Sequence, residues 1–529
     1  MNSATVHSRR WYILAVLVVS LLVVVLDNTI LNVALPTIEE TLHASQSQQE
    51  WFINAYTLVF AGLLFTYGVL GDRYGRKRML MIGMLLFGTA SALCAFASSP
   101  AWLITTRALM GIGGAAVLPS TLSIITNVFE PAERGKAIGV WAGFTGLAIA
   151  IGPITGGALL ERFWWGSVFL VNVPFVLIGL VAIAVLVPES KDPSPRGIDV
   201  LGVLLSMAGL VLLVYGIIKG GQAGDWTQPQ VLGTLLGGVV VLAVFVLVER
   251  RSAHPSLDIT LFRNPAFSAA SVAVTAAFFA LFGATFFLTF YLQFARNYSP
   301  LQAGIRLLPV AFALAFFAPR SAKMVQRFGA KRVCTTGLLL VTVAFLMYQL
   351  IDTTTPIWVL ELLLFVQGVG MANTMAPATE SIMSTLPRER AGAGSAVNNT
   401  VRQVGGALGV AIIGSLLSAS YRSGINPELA KLPIPQAVRN TAAESLGATQ
   451  AIISRAGGQL DGLLVPAQDA FVHAMHVASL GSALVAFLGA MAVLLGLPGK
   501  PVTAVSEGRS SARESSVAEG GQPSEAPLR

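Results

Sequence analysis

The chain has 529 residues, of which 54% are hydrophobic and only 11% are charged. Soluble domains usually contain about 25% charged residues, so this composition excludes an ordinary soluble enzyme. The net charge of +8 would suit nucleic-acid binding in a soluble protein, but the basic residues fall in short loops between apolar runs, where membrane topology explains them. The predicted fold class is therefore an all-α integral membrane protein.

Apolar runs long enough to cross a bilayer, about 20 residues each, recur from Trp11 to near Leu497. The first follows Arg9 and Arg10, but it is too long for a signal peptide and lacks a small-residue cleavage site, so we expect a retained helix. The runs between charged or Gly/Pro-rich breaks predict about fourteen helices. These begin near residues 12, 52, 79, 102, 135, 166, 198, 231, 268, 302, 333, 356, 394 and 474.

The distribution of charge predicts the orientation. Most Lys and Arg residues fall in the predicted inward loops, including residues 73–78 and 320–332, whereas the first outward loop is acidic, with Glu39, Glu40 and Glu50. The positive-inside rule then places both termini in the cytoplasm of a multi-pass protein in the cell membrane. A long outward connection, about 418–472, has no readable role. The tail, 498–529, is rich in Ser, Glu and Gly and is predicted to be disordered.

A basic turn occurs twice, at residues 68–77 and as a looser echo at residues 326–332. Weak repetition of two six-helix halves is typical of secondary transporters, whose binding site lies near the midplane between the halves. The predicted organisation follows from this repeat. It comprises a cytoplasmic segment 1–11, a six-helix bundle 12–190, two inserted helices 191–263, a second six-helix bundle 264–497 and the tail 498–529.

Four motifs carry a resemblance to a known family. The first runs from Leu26 and Asp27 to Asn32 and Pro36; the second contains Gly68, Gly71, Asp72, Arg73, Gly75, Arg76 and Lys77; the third contains Leu103, Arg107, Met110, Gly111, Gly113 and Gly114; the fourth contains Gly152, Pro153, Gly156 and Gly157. With these motifs the chain resembles the major facilitator superfamily, and within it the fourteen-helix drug:proton antiporters. Residues 163–174 resemble the branch that exports quaternary ammonium compounds and dyes.

The resemblance implies a fold of two six-helix bundles plus two inserted helices. It also implies that the second motif latches the cytoplasmic gate, although a basic cluster there could serve topology alone. Gly152, Pro153, Gly156 and Gly157 match the antiporter motif, which controls leakage and export direction in the family. A Gly-Pro pair also permits a bend and close helix packing, so plain packing remains an alternative.

Asp27 is the most costly residue of the apolar first helix. It lies about 16 residues into that helix, or roughly 24 Å deep at about 1.5 Å per residue, where an aspartate costs about 2.5–3.5 kcal/mol. Arg107 enters helix four from the other side to a similar depth. We predict that the two residues can pair and act as the proton switch, because burial disfavours an ionised carboxylate whereas a guanidinium favours it. A purely structural Arg107 is the alternative.

Further polar residues are candidates for the substrate cavity. Helix thirteen carries a stripe in a region that contains carboxylates in some quaternary-ammonium exporters, and Glu361 in helix twelve could attract a cation or merely reach the outer interface. Inter-helix hydrogen bonding is the alternative for the stripe. The candidates are Asn32, Met110, Glu361, Asn398, Asn399, Arg402 and Gln403.

The sequence predicts a transporter rather than an enzyme. No Walker A sequence is present, since residues 496–500 have the wrong spacing, so energy is expected from a proton gradient without a cofactor or a metal. The predicted function is proton-coupled export of amphipathic, often cationic, drugs, dyes or biocides, by a monomer that does not bind nucleic acid. Alternatives are export of one host-made metabolite or antibiotic, and a non-transporting membrane sensor or scaffold.

Overall fold

A computed structural model of the chain describes residues 3–191, 199–252, 255, 257, 259–385, 391–456 and 460–498. Its regular elements are helices throughout these ranges. Twelve helices are long and apolar enough to cross a membrane, and the bent pair Gln46–Leu64 and Thr66–Tyr74 raises the number to thirteen. The all-α membrane fold predicted from the composition is confirmed.

The first half of the fold contains seven helices. They are α1 (Ser3–Leu42), α2 (Gln46–Tyr74), α3 (Arg76–Ala95), α4 (Pro100–Val128), α5 (Pro131–Arg162), α6 (Ser167–Leu170) and α7 (Asn172–Leu186). Helix α5 packs along α1 and is 32 residues long. Helix α5 is not among these thirteen candidate spans. If α5 also crosses the membrane, the number of spans is the predicted fourteen, and that number stays a prediction.

The second half begins after the pair α8 (Val200–Ala223) and α9 (Pro229–Arg251), which pack against each other. Its helices are α10 (Pro265–Phe290), α11 (Pro300–Arg306), α12 (Leu308–Phe328), α13 (Ala330–Met347), α14 (Ile357–Ser384), α15 (Ala391–Ala430), α16 (Gln436–Ala442), α17 (Leu446–Arg455) and α18 (Leu464–Gly496). Helix α8 contacts α2 of the first half and α15 of the second.

Local signals explain several helix starts. Ser45 forms a capping box with Gln48 at the start of α2, and Ser299 forms one with Gln302 at the start of α11. Ser99 caps α4 through the backbone N–H of Trp102. Since these side chains satisfy amide groups that have no partner inside the helix, they set where each loop ends and each bundle helix begins.

Two predicted boundaries differ from the structure. Helix α1 begins at Ser3, within the segment 1–11 that was expected to precede it. The 418–472 connection is largely helical. Helix α15 continues to Ala430, α16 and α17 follow it, and α18 begins at Leu464. These short loop helices escaped prediction because their stability depends on tertiary contacts rather than on apolar periodicity. Residues 499–529 of the predicted disordered tail lie outside the described residues.

The helix ends form two opposite faces. The basic face holds the start of α1, where Arg10 donates to Glu133 at 2.8 Å, and the turn between α2 and α3. The distal face holds α16 and α17. Four hydrogen bonds join the first half to the second in the described residues, and all involve the distal halves of their helices. They join Gln46 to the Gly414 carbonyl, Gln293 to the Val33 carbonyl, Ser299 to Glu161, and Ser445 to Glu39.

Candidate proton and substrate site

Asp27 and Arg107 meet in the interior of the first half. Arg107 Nη1 donates to Asp27 Oδ2, and the side chains are 0% and 1% exposed for Arg107 and Asp27, respectively. Arg107 Nε also donates to the backbone carbonyl of Phe52, at 2.9 Å. The guanidinium of α4 therefore ties α1 to α2, at the matched depth that helix geometry predicted.

Two aromatic rings and a thioether complete the surroundings of the Arg107 side chain. Its guanidinium carbon lies 4.5 Å from the centre of the Tyr56 ring and 5.9 Å from that of Phe169, and Nη1 is 3.8 Å from Met110 Sδ. Desolvated cation–π contacts of this kind contribute about 2 kcal/mol. Arg107 Nη2 is buried without a hydrogen-bond partner, so the guanidinium retains donor capacity when Asp27 is bound.

Asn172 is a further partner of Asp27 that was not selected as a site residue from the sequence. Its Nδ2 donates to Asp27 Oδ1 at 3.2 Å and to Ser91 Oγ at 3.1 Å, while Ser91 Oγ donates to the Phe169 carbonyl at 2.8 Å. Asp27 is thereby linked to α3 and α7 as well as to α2 and α4. A usable signal was present, because Asn172 is an amide in an otherwise apolar stretch and is 2% exposed.

This arrangement can respond to a single proton. With Asp27 ionised, the pair is neutral overall and both charges have hydrogen-bonding partners. Protonation of Asp27 would leave the Arg107 charge buried without a counter-ion, a state that costs several kcal/mol in a protein interior. The helices joined by Arg107 would then have to move to rehydrate or pair the guanidinium. A proton can in this way be converted into a change of helix packing.

The glycines of the fourth motif lie at helix contacts. A Cβ on Gly152 would lie 1.8 Å from Thr29 Oγ1 of α1, two residues from Asp27, and a Cβ on Gly157 would lie 2.4 Å from the Leu301 Cα atom of α11 in the other half. At the same junction the Pro153 carbonyl oxygen lies close to Gly304 of α11, and Gly156 packs on Ile30 of α1. The motif thus permits close approach of α5 both to the helix carrying Asp27 and across the seam between the halves.

The second motif forms the turn between α2 and α3 on the basic face. Asp72 accepts hydrogen bonds from Arg76 at 2.8 and 3.0 Å, and Lys77 Nζ donates to the Ala184 carbonyl at 2.7 Å. Gly75 has φ 117°, and its Cβ would lie 2.6 Å from Glu189. A glycine is required there.

The expectation that Gly71 also serves the turn is wrong. Gly71 lies within α2, and a Cβ there would make only ordinary contacts, as it would at Gly68. Arg73 is exposed. The motif therefore combines one glycine dictated by the backbone with an internal ion pair and a hydrogen bond that ties the turn to the last turn of α7.

The polar stripe on α15 lies against neighbouring helices and the seam. Asn398 is 6% exposed and its Oδ1 accepts from Thr379 Oγ1 at 3.3 Å, whereas Asn399, Arg402 and Gln403 are half-buried. The Arg402 guanidinium carbon lies 4.5 Å from the centre of the Phe278 ring. The stripe therefore presents a cation stacked on an aromatic ring rather than an acid.

Three other candidates are not available to bind a cation in this structure. Met110 is fully buried beside Arg107 and Cys94 and does not line a cavity in this structure. Asn32 is 3% exposed and donates to the Asn28 carbonyl of its own helix. Glu361 forms an ion pair with Arg306 at 2.7 Å, with about a third of each side chain exposed. Its negative charge is therefore compensated.

These features define a class of protein. Two helical halves with distal contacts between them, a buried ion pair in one half and a polar stripe facing the seam are typical of a secondary transporter. The sequence pattern described as Major Facilitator Superfamily matches residues 17–410. The chain belongs to the major facilitator superfamily.

Two curated relatives and one solved structure specify the comparison. The chain is 37% identical to the "Multidrug efflux pump LfrA" of Mycolicibacterium smegmatis, over 84% of this chain and 88% of that protein. It is 35% identical to the "Methyl viologen resistance protein SmvA" of Salmonella typhimurium, over 90% and 96%. In fold it is similar to an inward-facing bacterial homologue of the human lysosomal transporter Spinster, with TM-score 0.65 and 18% identity over 92% and 98% of the two chains.

Proposed function

We propose that this chain is a proton-coupled antiporter that exports amphipathic, often cationic, drugs, dyes or biocides from the cytoplasm by alternating access. The observation that carries the proposal is the buried Asp27–Arg107 pair with Asn172 as a third partner. The relatives LfrA and SmvA, a multidrug efflux pump and a methyl viologen resistance protein by name, support drug export.

In this proposal the two halves rock about a cavity between them. The contacts of the distal face hold the exit closed, so a compound enters from the basic face, which we assign to the cytoplasm by the positive-inside rule. Proton uptake by Asp27 would break the ion pair with Arg107 and release α1 from α2 and α4. Gly152 and Gly157 let α5 transmit that movement to the seam, because they remove side chains at both of its contacts.

The charge of the cavity favours particular substrates. Arg402 on the Phe278 ring and the amides of α15 supply aromatic surface, hydrogen bonds and one positive charge, whereas Glu361 is compensated by Arg306. Such a lining fits large apolar monocations and neutral compounds better than small dications, since a second positive charge gains no matching acid. Discrimination rests mainly on apolar area and stacking.

Proteoliposome transport with an imposed pH gradient tests the proposal. Purified protein is reconstituted, and uptake or export of an ethidium-like monocation, a neutral antibiotic and a dication is followed with and without the gradient. We expect gradient-dependent movement of the first two compounds and weak movement of the third. Transport that ignores the pH gradient, or absence of transport for a broad panel of amphipathic compounds, would contradict the proposed function.

A further inference from the structure

A second buried acid lies at the distal face, far from the Asp27 site. Glu39 belongs to the last turns of α1, is 5% exposed and lies twelve residues beyond Asp27, or about 18 Å along the helix. It faces Ser445, the residue that caps α17, and the side chain of Gln49 on α2. This cluster joins the first half of the fold to the helices of the long connection in the second.

Two buried oxygen atoms of this cluster have no hydrogen-bonding partner. Ser445 Oγ donates to Glu39 Oε1, and Gln49 Nε2 donates to the Ala44 carbonyl at 3.3 Å. Glu39 Oε2 and Gln49 Oε1 are both buried and have no partner. Ser445 is thus the one hydrogen-bond donor to the Glu39 carboxylate in the described part of the chain, and a proton on Oε2 would remove the charge of a buried carboxylate that has little else to stabilise it.

The charges around Glu39 do not compensate an ionised carboxylate. The titratable groups that face it are Glu40 of its own helix, Glu444 before α17 and Tyr421 of α15. Glu40 is exposed, and burial raises the pKa of Glu444, although Arg422 opposes that effect. The next acid on α2, Glu50, lies instead against Gly414.

The remaining surroundings are apolar. Phe290 and Phe294 stack with ring centres 6.1 Å apart, and both line the small space around Glu39 together with Phe471 and Leu446. Among the described residues no cation faces Glu39, and an ionised carboxylate in this apolar setting is strongly disfavoured. The closed distal face is therefore compatible with a neutral Glu39.

We propose that Glu39 is a proton-operated latch, so that the distal mouth between the two halves closes only when this carboxyl has taken a proton from the outside. This inference rests on the proposed function, which assigns the distal face to the outside of the cell and makes it the exit of the exported compound. In the open state water reaches Glu39 and holds its ionised form. Protonation forms an O–H bond on the carboxyl and removes its charge, and the proton returns to the outside solution when the mouth reopens.

Because the proton returns to the side it came from, the latch adds nothing to the number of protons exchanged per substrate. It changes the rate and the equilibrium of one step, the closing of the emptied exit. Acidity outside therefore favours return of the transporter to the state that loads a compound from the cytoplasm. The Asp27 site and the Glu39 latch are separate proton-binding groups, about 18 Å apart.

Distance measurements between spin labels test the latch without a substrate. Cys94 and Cys334 are both buried and are replaced by serine, and labels are attached through Ser98→Cys and Ala437→Cys, two exposed positions on the distal face of the two halves. Double electron–electron resonance in lipid nanodiscs from about pH 4 to about pH 9 covers a carboxyl with the ordinary pKa of about 4.3 as well as one with a higher pKa. The short-distance population should fall as the pH rises.

Three matched variants assign the effect. Glu39→Gln keeps the shape of a neutral carboxyl, and its short-distance population should stay high with less than about a twofold change over the pH range. The exposed neighbour Glu40→Gln should retain the pH dependence. Ser445→Ala removes the hydrogen bond donated to the ionised carboxyl and should raise the midpoint by about one pH unit, the effect of about one net hydrogen bond.

A distance distribution that does not depend on pH in the parent protein overturns the latch, as does an unchanged titration in Glu39→Gln. If Glu39→Gln does not fold, an unmoved midpoint in Ser445→Ala overturns it instead. Failure of the proposed function is recognised separately, because it appears as absence of gradient-driven transport in proteoliposomes. Flat distance curves together with intact pumping would reject only the latch.

Discussion

Neutralising Asp27 should affect stability and coupling in different ways, and a double-mutant cycle separates the two. Asp27→Asn preserves the shape of the side chain and the oxygen that accepts from Asn172, but it leaves the fully buried guanidinium of Arg107 without its counter-ion. Two unit charges about 4 Å apart at an effective dielectric constant of about 20 attract by about 4 kcal/mol. Removing one partner of a buried pair likewise costs about 3–5 kcal/mol.

We therefore expect Asp27→Asn and Arg107→Met each to lower the free energy of unfolding by about 3–5 kcal/mol. The double variant should recover most of that loss, because no uncompensated charge stays buried. Pumping should behave differently. Gradient-driven export should fall by about two orders of magnitude or more in both single variants and should not return in the double variant, since a proton-binding group is still missing.

The assays are denaturant unfolding in detergent and proteoliposome export under an imposed pH gradient, with facilitated exchange down the substrate gradient as a control for folding and binding. Substantial proton-driven export by Asp27→Asn would refute the role of this carboxylate as the coupling group. A double variant no more stable than either single variant would refute the argument that the pair is held by its charges.

Two further changes test the packing and the cavity. Gly152→Ala should lower the free energy of unfolding by about 1–3 kcal/mol and abolish export, because the added methyl group would overlap Thr29. The control Gly233→Ala, with open space around it, should change neither stability nor export. Equal behaviour of the two variants in unfolding and export assays would contradict this prediction. Glu361→Gln should change the affinity for a fluorescent monocation by less than about threefold, because Arg306 already compensates this partly exposed carboxylate; a loss of tenfold or more in a fluorescence titration would restore Glu361 as a cation site.

The depth of polar residues in long helices was predictable from sequence. Asp27 and Arg107 could be matched because the rise per residue is fixed and only the start of each helix had to be estimated. Helix rotation could not be estimated in this way. Met110 turns toward Arg107 rather than the cavity, and Asn172 turns toward Asp27, because packing among several helices decides which face of each is inward.

Contacts made by distant segments were also beyond the sequence. The pairing of Glu361 with Arg306 depends on how α11 meets α14, and the helices of the 418–472 connection depend on partners such as Glu39 and the Phe294 carbonyl, to which Gln450 donates at 2.8 Å. Short polar helices have little apolar periodicity of their own. Their existence follows from the surface they cover, which lies on another part of the chain.

The placement of α8 has a consequence for compounds dissolved in the bilayer. Val214 and Ile218 of α8 form a small apolar core with Leu58 of α2 and Ala407 of α15, and Ser415 Oγ of α15 donates to the Ile217 carbonyl at 3.0 Å. Lipid therefore meets three interlocked helices on this side. Sideways entry between α2 and α15 is blocked at these contacts, and an apolar compound dissolved in the bilayer has to reach the cavity by another opening.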